Sequence, residues 1–277
     1  MSRVATGRMP ARLAVAQAIV EEAAQLAVQA QADRAALGLR AKQPQDFVSA
    51  ADEAVERMVR QRLAHAFPGE PVFGEEYGQG HDSLDAARLP RTSWVVDPID
   101  GTANFLRGVP LWAVSLGLVR DGQPHAGVVA MPALGLVVAA ERGAGLFVNG
   151  MPAVRDTVFD AVRIVSVGDA RNDIAPSVAA LVALRQAGWV VQAYRSTATA
   201  MAFAAIGRLD GHVQHSVKAW DMAGGLALCA EAGLVVCHGD LSQPESFVAV
   251  GTSAVLQILR PVWPEKWGCA PGAPATP

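Results

Sequence analysis

The chain has little of what would tie it to nucleic acid, to a membrane or to a disulfide scaffold. Its 277 residues carry 23 Lys+Arg against 26 Asp+Glu, a net charge of −3. That balance gives no electrostatic ground for a nucleic-acid or anionic-membrane partner. No stretch is apolar for the length of a membrane span. Met1 to Arg12 has scattered arginines but no continuous apolar run like that of a secretory leader, so a cytoplasmic protein is expected. Cysteine occurs only at 229, 237 and 269, an odd number without metal-ligand spacing, which argues against a disulfide framework or a zinc site. Cys229 and Cys237 read as buried apolar thiols. Charged residues make up 18% and hydrophobic residues 51%, a balance that excludes wholesale disorder and leaves ample material for a packed core.

Several catalytic signatures are missing too. Ser115 is preceded two positions earlier by Ala113, so the Gly-x-Ser-x-Gly elbow is absent. Gly143-Ala144-Gly145-Leu146-Phe147-Val148 lacks the third glycine of a dinucleotide loop, and no Gly-Lys-Ser/Thr phosphate loop occurs. The six histidines form no His-Glu-x-x-His pattern, so each, His212 and His215 included, reads as satisfied or exposed. No internal repeat is found.

What is present begins with periodicity. Apolar residues from Leu13 to Ala30 recur at helical spacing and predict a helix over 11–33. Residues 34–48 read as a loop. Ser49-Ala50-Ala51-Asp52 opens a second helix that ends at Phe67-Pro68-Gly69. Strand-like runs follow at 93–97, 111–120, 126–131, 136–141 and 146–148, separated by turn signals, which predicts an antiparallel meander. Beyond about residue 155 strands (163–167, 189–194, 212–214, 234–237, 247–250) alternate with helices (176–187, 198–208, 221–232, 253–259), the pattern of an α/β layer. Two subdomains, 1–155 and 156–265, are expected, with a Pro/Ala/Gly-rich flexible tail over 266–277.

Three separated places put carboxylates at the ends of apolar elements: Gly74-Glu75-Glu76, Trp94-Val95-Val96-Asp97-Pro98-Ile99-Asp100-Gly101-Thr102, and Trp220-Asp221-Met222-Ala223-Gly224. In the second, a strand ends at Asp97 and Pro98 is expected to stop it. The bend then lets Asp97, Asp100 and the carbonyl of Ile99 converge. Such a hard, oxygen-rich set suits Mg²⁺. A helix starting near Thr102 leaves the amides of Gly101 and Thr102 as donors to a phosphate. The alternative is that Asp97 and Asp100 only close a turn and cap a helix. A capping turn, however, has no need of carboxylates after Gly74 and Trp220 as well. An EF-hand is excluded, because the third, sixth and twelfth positions from Asp97 are Ile99, Thr102 and Gly108.

These three segments resemble the metal motifs of the inositol monophosphatase family. Lys42, Asp46-Phe47-Val48-Ser49-Ala50-Ala51-Asp52, Arg142 to Gly150 and Arg195-Ser196-Thr197-Ala198-Thr199-Ala200 are similar as well, and the likeness runs in order from about residue 11 to about 260. The resemblance implies a mixed α/β, layered αβαβα sandwich of the inositol monophosphatase and fructose-1,6-bisphosphatase type. It implies a homodimer that hydrolyses a small phosphate monoester with two or three Mg²⁺ ions and is sensitive to Li⁺. It also implies roles. Glu75, Asp97 and the Ile99 carbonyl would hold one ion, and Asp97, Asp100 and Asp221 a second; a third, weaker ion would use Glu75. Asp100, Gly101 and Thr102 would face the phosphate, while Glu75 and Thr102 would activate a water with Asp52 behind Thr102. Asp52 can equally be the capping partner of Ser49, and Lys42 a solvated loop charge.

Members that prefer inositol phosphate commonly carry Glu seven residues before the third-motif Asp; here Gln214 stands there, and Lys218 adds a nearby positive charge. Ala200 would line the substrate pocket. Inositol monophosphate is the best single substrate expectation. The alternatives are histidinol phosphate, fructose 1,6-bisphosphate, a 3′-phosphoadenosine nucleotide, or a non-catalytic metal-binding interaction protein on the same fold.

Overall fold

The computed structural model describes residues 7–33, 37–43, 46–77, 91–168 and 173–262. The tail over 266–277 and Cys269 lie outside these residues, as does the side chain of Lys42.

Helix α1 (Ala11–Ala32) buries Leu13, Ala16, Ile19, Val20, Ala23 and Ala27 along one stripe. Helix α2 (Ala50–Ala66) starts at a capping box in which the Asp52 carboxylate reaches back to the Ser49 amide. Between them, where a loop was expected, a short hairpin pairs β1 (Arg40–Gln43) with β2 (Asp46–Val48). Its strands are too short for a period of two to show in the sequence.

The first large sheet has seven strands in sequence order: β3 (Val72–Gly74), β4 (Thr92–Asp100), β5 (Ala113–Arg120), β6 (Gln123–Met131), β7 (Leu136–Glu141), β8 (Gly145–Val148) and β9 (Met151–Ala153). The expected antiparallel meander runs from β4 to β9, and β3 joins β4 in parallel. Pro98 does not stop β4. The strand carries on to Asp100 through a register shift between Asp97 and Asp100, the irregularity at which a strand tolerates proline. Helix α3 (Thr102–Arg107) follows at once.

The second sheet has five strands in the order β11 (Val190–Gln192), β10 (Ile164–Val167), β12 (Gly211–Val217), β14 (Ser246–Gly251) and β13 (Val235–His238). Helices α4 (Ala175–Gln186), α5 (Thr197–Ile206), α6 (Ala219–Glu231) and α7 (Ser253–Leu259) alternate with its strands, as the sequence rhythm predicts.

Side-chain alternation along the strands sorts the core into layers. Trp94, Val96, Val128 and Ala139 pack with α1 and α2. Val95, Val129, Val138 and Ala140 face the other way, onto α5 and α6. The far face of the second sheet, through Val165, Val213 and Ala249, meets α4 and α7. The result is the expected αβαβα sandwich, with α5 and α6 as the central helical layer. Helix α6 approaches the first sheet closely because the contact is built from glycine: a Cβ on Gly127 would lie 1.9 Å from the Gly224 carbonyl oxygen. Cys229 is a buried free thiol, as expected, whereas Cys237 is disulfide-bonded. Cysteine spacing cannot reveal which thiols a fold brings together.

Candidate metal centre

The alternation that sends Val95 toward the central helices sends Asp97 the same way. The strand carrying it is buried from Ser93 to Asp100. Parallel pairing sets Gly74 against Val96, so Glu75 follows at the level of Asp97. From the opposite side, α6 enters the same layer with Asp221 in its first turn. One oxygen from each of Asp97, Asp100 and Asp221 lies within 4.8 Å of the others. Asp97 and Asp100 are buried and Asp221 is half-buried. Glu75 is half-buried and close enough for its charge to act on Asp97.

The electrostatic consequence is unfavourable for bare carboxylates. Burial pushes the Asp97 carboxyl well above the ordinary range, and the charges of Glu75, Asp100 and Asp221 push it further. Asp100 is raised to about 7 by burial and by Asp221, against hydrogen bonds from Ser196, Ala198 and Thr197 that favour its ionised form. A bound cation would relieve this conflict, since it would supply the positive charge that the buried oxygens lack.

Each carboxylate is held by hydrogen bonds on its own side. Asp97 Oδ1 accepts the Ile99 amide at 3.1 Å, which folds the chain around Pro98. Asp221 Oδ2 accepts the Lys218 amide at 2.9 Å, closing the first turn of α6. Asp100 sits at the start of α5, where its carboxylate accepts the Ser196 hydroxyl at 2.6 Å, the Ala198 amide at 2.6 Å and the Thr197 amide at 3.2 Å. Sequence reasoning missed these three residues as partners of Asp100. The signal was a capping serine at 196 ahead of a small-residue helix, but nothing in a linear pattern says which carboxylate meets a helix end.

Gly101 carries φ 89° and ψ 40°, a left-handed conformation that glycine adopts without strain, and it turns β4 into α3. Thr102 is the first residue of α3, and its hydroxyl donates to the Ile99 carbonyl at 3.1 Å. The Asp52 carboxylate accepts the Ser49 amide at 2.8 Å and the Ser49 hydroxyl at 2.6 Å, the capping-box role. Ile99 is fully buried. Gln214 lies on β12, where its carbonyl oxygen accepts the Thr197 hydroxyl at 2.8 Å and its amide donates to the Ser216 carbonyl at 3.0 Å.

Ala200 on α5 is 0% exposed and packs in the core between the two sheets. The Lys218 ammonium, the positive charge expected near Asp221, donates to the Pro244 carbonyl at 2.6 Å.

The sequence profile of the inositol monophosphatase family matches residues 2–261, nearly the whole chain. The chain belongs to the inositol monophosphatase family. An inositol-1-monophosphatase of Rhizobium meliloti is 38% identical over 198 residues, covering 69% of this chain and 72% of that protein. An uncharacterised protein of Sinorhizobium fredii is 40% identical over 192 residues, 68% of this chain and 65% of its own length. Among solved structures, the extragenic suppressor protein suhB of Bartonella henselae superposes with a TM-score of 0.78 at 28% identity, covering 91% of this chain and 98% of that one. The family is one of phosphatases, and the acidic triad of Asp97, Asp100 and Asp221 is placed to hold a metal ion.

Proposed function

We propose that the chain hydrolyses a small phosphate monoester with Mg²⁺, and that inositol monophosphate is the best single substrate. The observation that carries this reading is the meeting of Asp97 and Asp100 from β4 with Asp221 from α6 within 4.8 Å, in surroundings that raise the two buried carboxyls. In this reading residues 1–155 supply Glu75, Asp97, Ile99 and Asp100, and residues 156–265 supply Asp221 and the substrate wall. Glu75, Asp97 and the Ile99 carbonyl would hold one ion. Asp97, Asp100 and Asp221 would hold a second, and Glu75 would contribute to a third, weaker one. Bound Mg²⁺ supplies neutralising charge for the phosphate and the departing oxygen and makes water more acidic.

The chain's own groups do the rest. The first amides of α3, at Gly101 and Thr102, have no intrahelical acceptor, as at any helix start, and in this reading they receive phosphate oxygens. Glu75 accepts a proton from the attacking water and Thr102 Oγ1 orients that water. Thr102 is already fixed through its hydrogen bond to Ile99. Asp97 has an oxygen within 4.8 Å of both Asp100 and Asp221, and in this reading it serves both cation sites. Gln214 offers a neutral amide to substrate hydroxyls. Its lack of charge favours a broader set of polyol or sugar phosphates than a carboxylate would. The resemblance further supports a cytoplasmic homodimer with Li⁺ sensitivity. Phosphate release from a panel of monoesters, with and without Mg²⁺, tests the reading. Mg²⁺-dependent turnover with inositol monophosphate among the better substrates is expected, and no Mg²⁺-dependent turnover on any member would defeat it.

A further inference from the structure

We propose that Glu56 is a positioning residue for the metal centre, holding Glu75 in place by gripping the turn that carries it. The inference rests on the metal reading above.

Glu56 stands on α2 one helical turn after Asp52, on the same face. It is completely buried. A buried carboxylate without compensation is costly, so its surroundings indicate its task. Glu56 Oε2 accepts the amide of Glu76 at 2.8 Å, and Oε1 accepts the amide of Tyr77 at 3.2 Å. Two successive amides tied to one carboxylate fix the backbone immediately after Glu75. The charge of Glu56 is met by Arg60, whose Nε donates to Oε1 at 2.8 Å. Arg60 in turn donates from Nη1 to the Val72 carbonyl at 2.7 Å. Helix α2 therefore holds β3 at its first residue through Arg60 and the turn beyond its last residue through Glu56, with Glu75 in between.

Gly74 provides a second, independent observation. A Cβ built on it would lie 2.3 Å from Glu56 Oε1 and 2.4 Å from Cδ. Gly74 is not among the glycines of positive φ, so its backbone conformation does not demand glycine. What excludes a side chain there is the Glu56 carboxylate, lying against the chain just ahead of Glu75. The same arrangement answers an electrostatic problem. Glu75 faces the like charge of Asp97, and repulsion pushes an untethered turn outward. Glu56 opposes that movement, and its pairing with Arg60 keeps it from adding a further negative charge to the cluster.

The test is calorimetric titration of the full-length protein with Mg²⁺, alongside steady-state kinetics over a range of Mg²⁺ concentrations. Glu56→Gln keeps the shape but replaces one acceptor oxygen with a donor. It should weaken Mg²⁺ binding by about tenfold or more, the usual effect of losing a group that orients a metal ligand. Turnover should fall at low Mg²⁺ and recover as Mg²⁺ is raised. Gly74→Ala, which displaces the carboxylate while leaving its charge, should do the same and serves if Glu56→Gln does not fold. Unchanged Mg²⁺ affinity in folded Glu56→Gln or Gly74→Ala overturns the proposal, as does a loss of thermal stability with affinity intact. Asp97→Asn separates the two readings. If the wild type binds no Mg²⁺, the metal reading fails; if it binds and only Asp97→Asn weakens binding, the role of Glu56 alone fails.

Discussion

The carboxylate of Asp100 accepts the backbone amide of Ala198 at 2.6 Å, joining residues 98 positions apart. Through this contact the end of β4 is docked on the first turn of α5. A helix N-terminus carries partial positive charge, so it favours a carboxylate that its burial would otherwise neutralise. The same Ser196 hydroxyl serves both, donating to Asp100 while accepting the Thr199 amide at 3.3 Å.

Ser196→Ala should therefore cost twice. Loss of an N-cap destabilises by about 0.5–2 kcal/mol. Loss of the donor to Asp100 should also weaken the cation site that Asp100 serves. Thermal melts without and with Mg²⁺ check this: the variant should melt lower in both, with a smaller gain from Mg²⁺ than the wild type.

Asp97→Asn should remove nearly all turnover while leaving the fold intact. In metal-free protein it should raise the melting temperature, because an amide at 97 carries none of the cost of burying an ionisable carboxyl among like charges. Each kcal/mol of relieved repulsion should appear as roughly 2–4 °C for a chain of this size. Conversely, Mg²⁺ at about 100 times its dissociation constant should stabilise the wild type by about 2.7 kcal/mol and the variant by much less. Near-normal turnover in Asp97→Asn would contradict the assignment.

Gln214→Glu would place a carboxylate oxygen where an amide now donates to the Ser216 carbonyl. Facing that carbonyl, the new oxygen loses its partner and should turn toward solvent or substrate hydroxyls. Stability should drop by about 1 kcal/mol, and inositol phosphate should rise in the substrate ranking relative to other monoesters. An unchanged ranking would show that residue 214 does not meet the substrate.

His212 gives an acid sensitivity of known sign. It is buried, and burial lowers its pKa from 6.5 to about 4. The unfolded chain thus takes up a proton between those values that the folded chain refuses. The stability present above about pH 6.5 is lost as pH falls toward 4, by up to about 3 kcal/mol. His212→Gln should lack this part of the acid dependence. Urea unfolding of both proteins at pH 7 and pH 5 measures the difference; equal slopes with pH would refute it.

The order of elements, the α/β rhythm after residue 155 and the three carboxylate segments were legible along the chain. These are local matters: helical and strand periods, capping at Ser49, and acids placed at the ends of apolar runs leave marks along the chain. The β1–β2 hairpin read as a loop, because strands of four and three residues are too short to show a period. Sequence reasoning misjudged Pro98, because a proline that breaks an isolated strand is tolerated at a register shift. Tertiary packing alone brings α5 to Asp100 and Glu56 to the turn bearing Glu75. Those contacts join residues up to 98 apart, and the close packing that makes them depends on the whole sandwich being assembled.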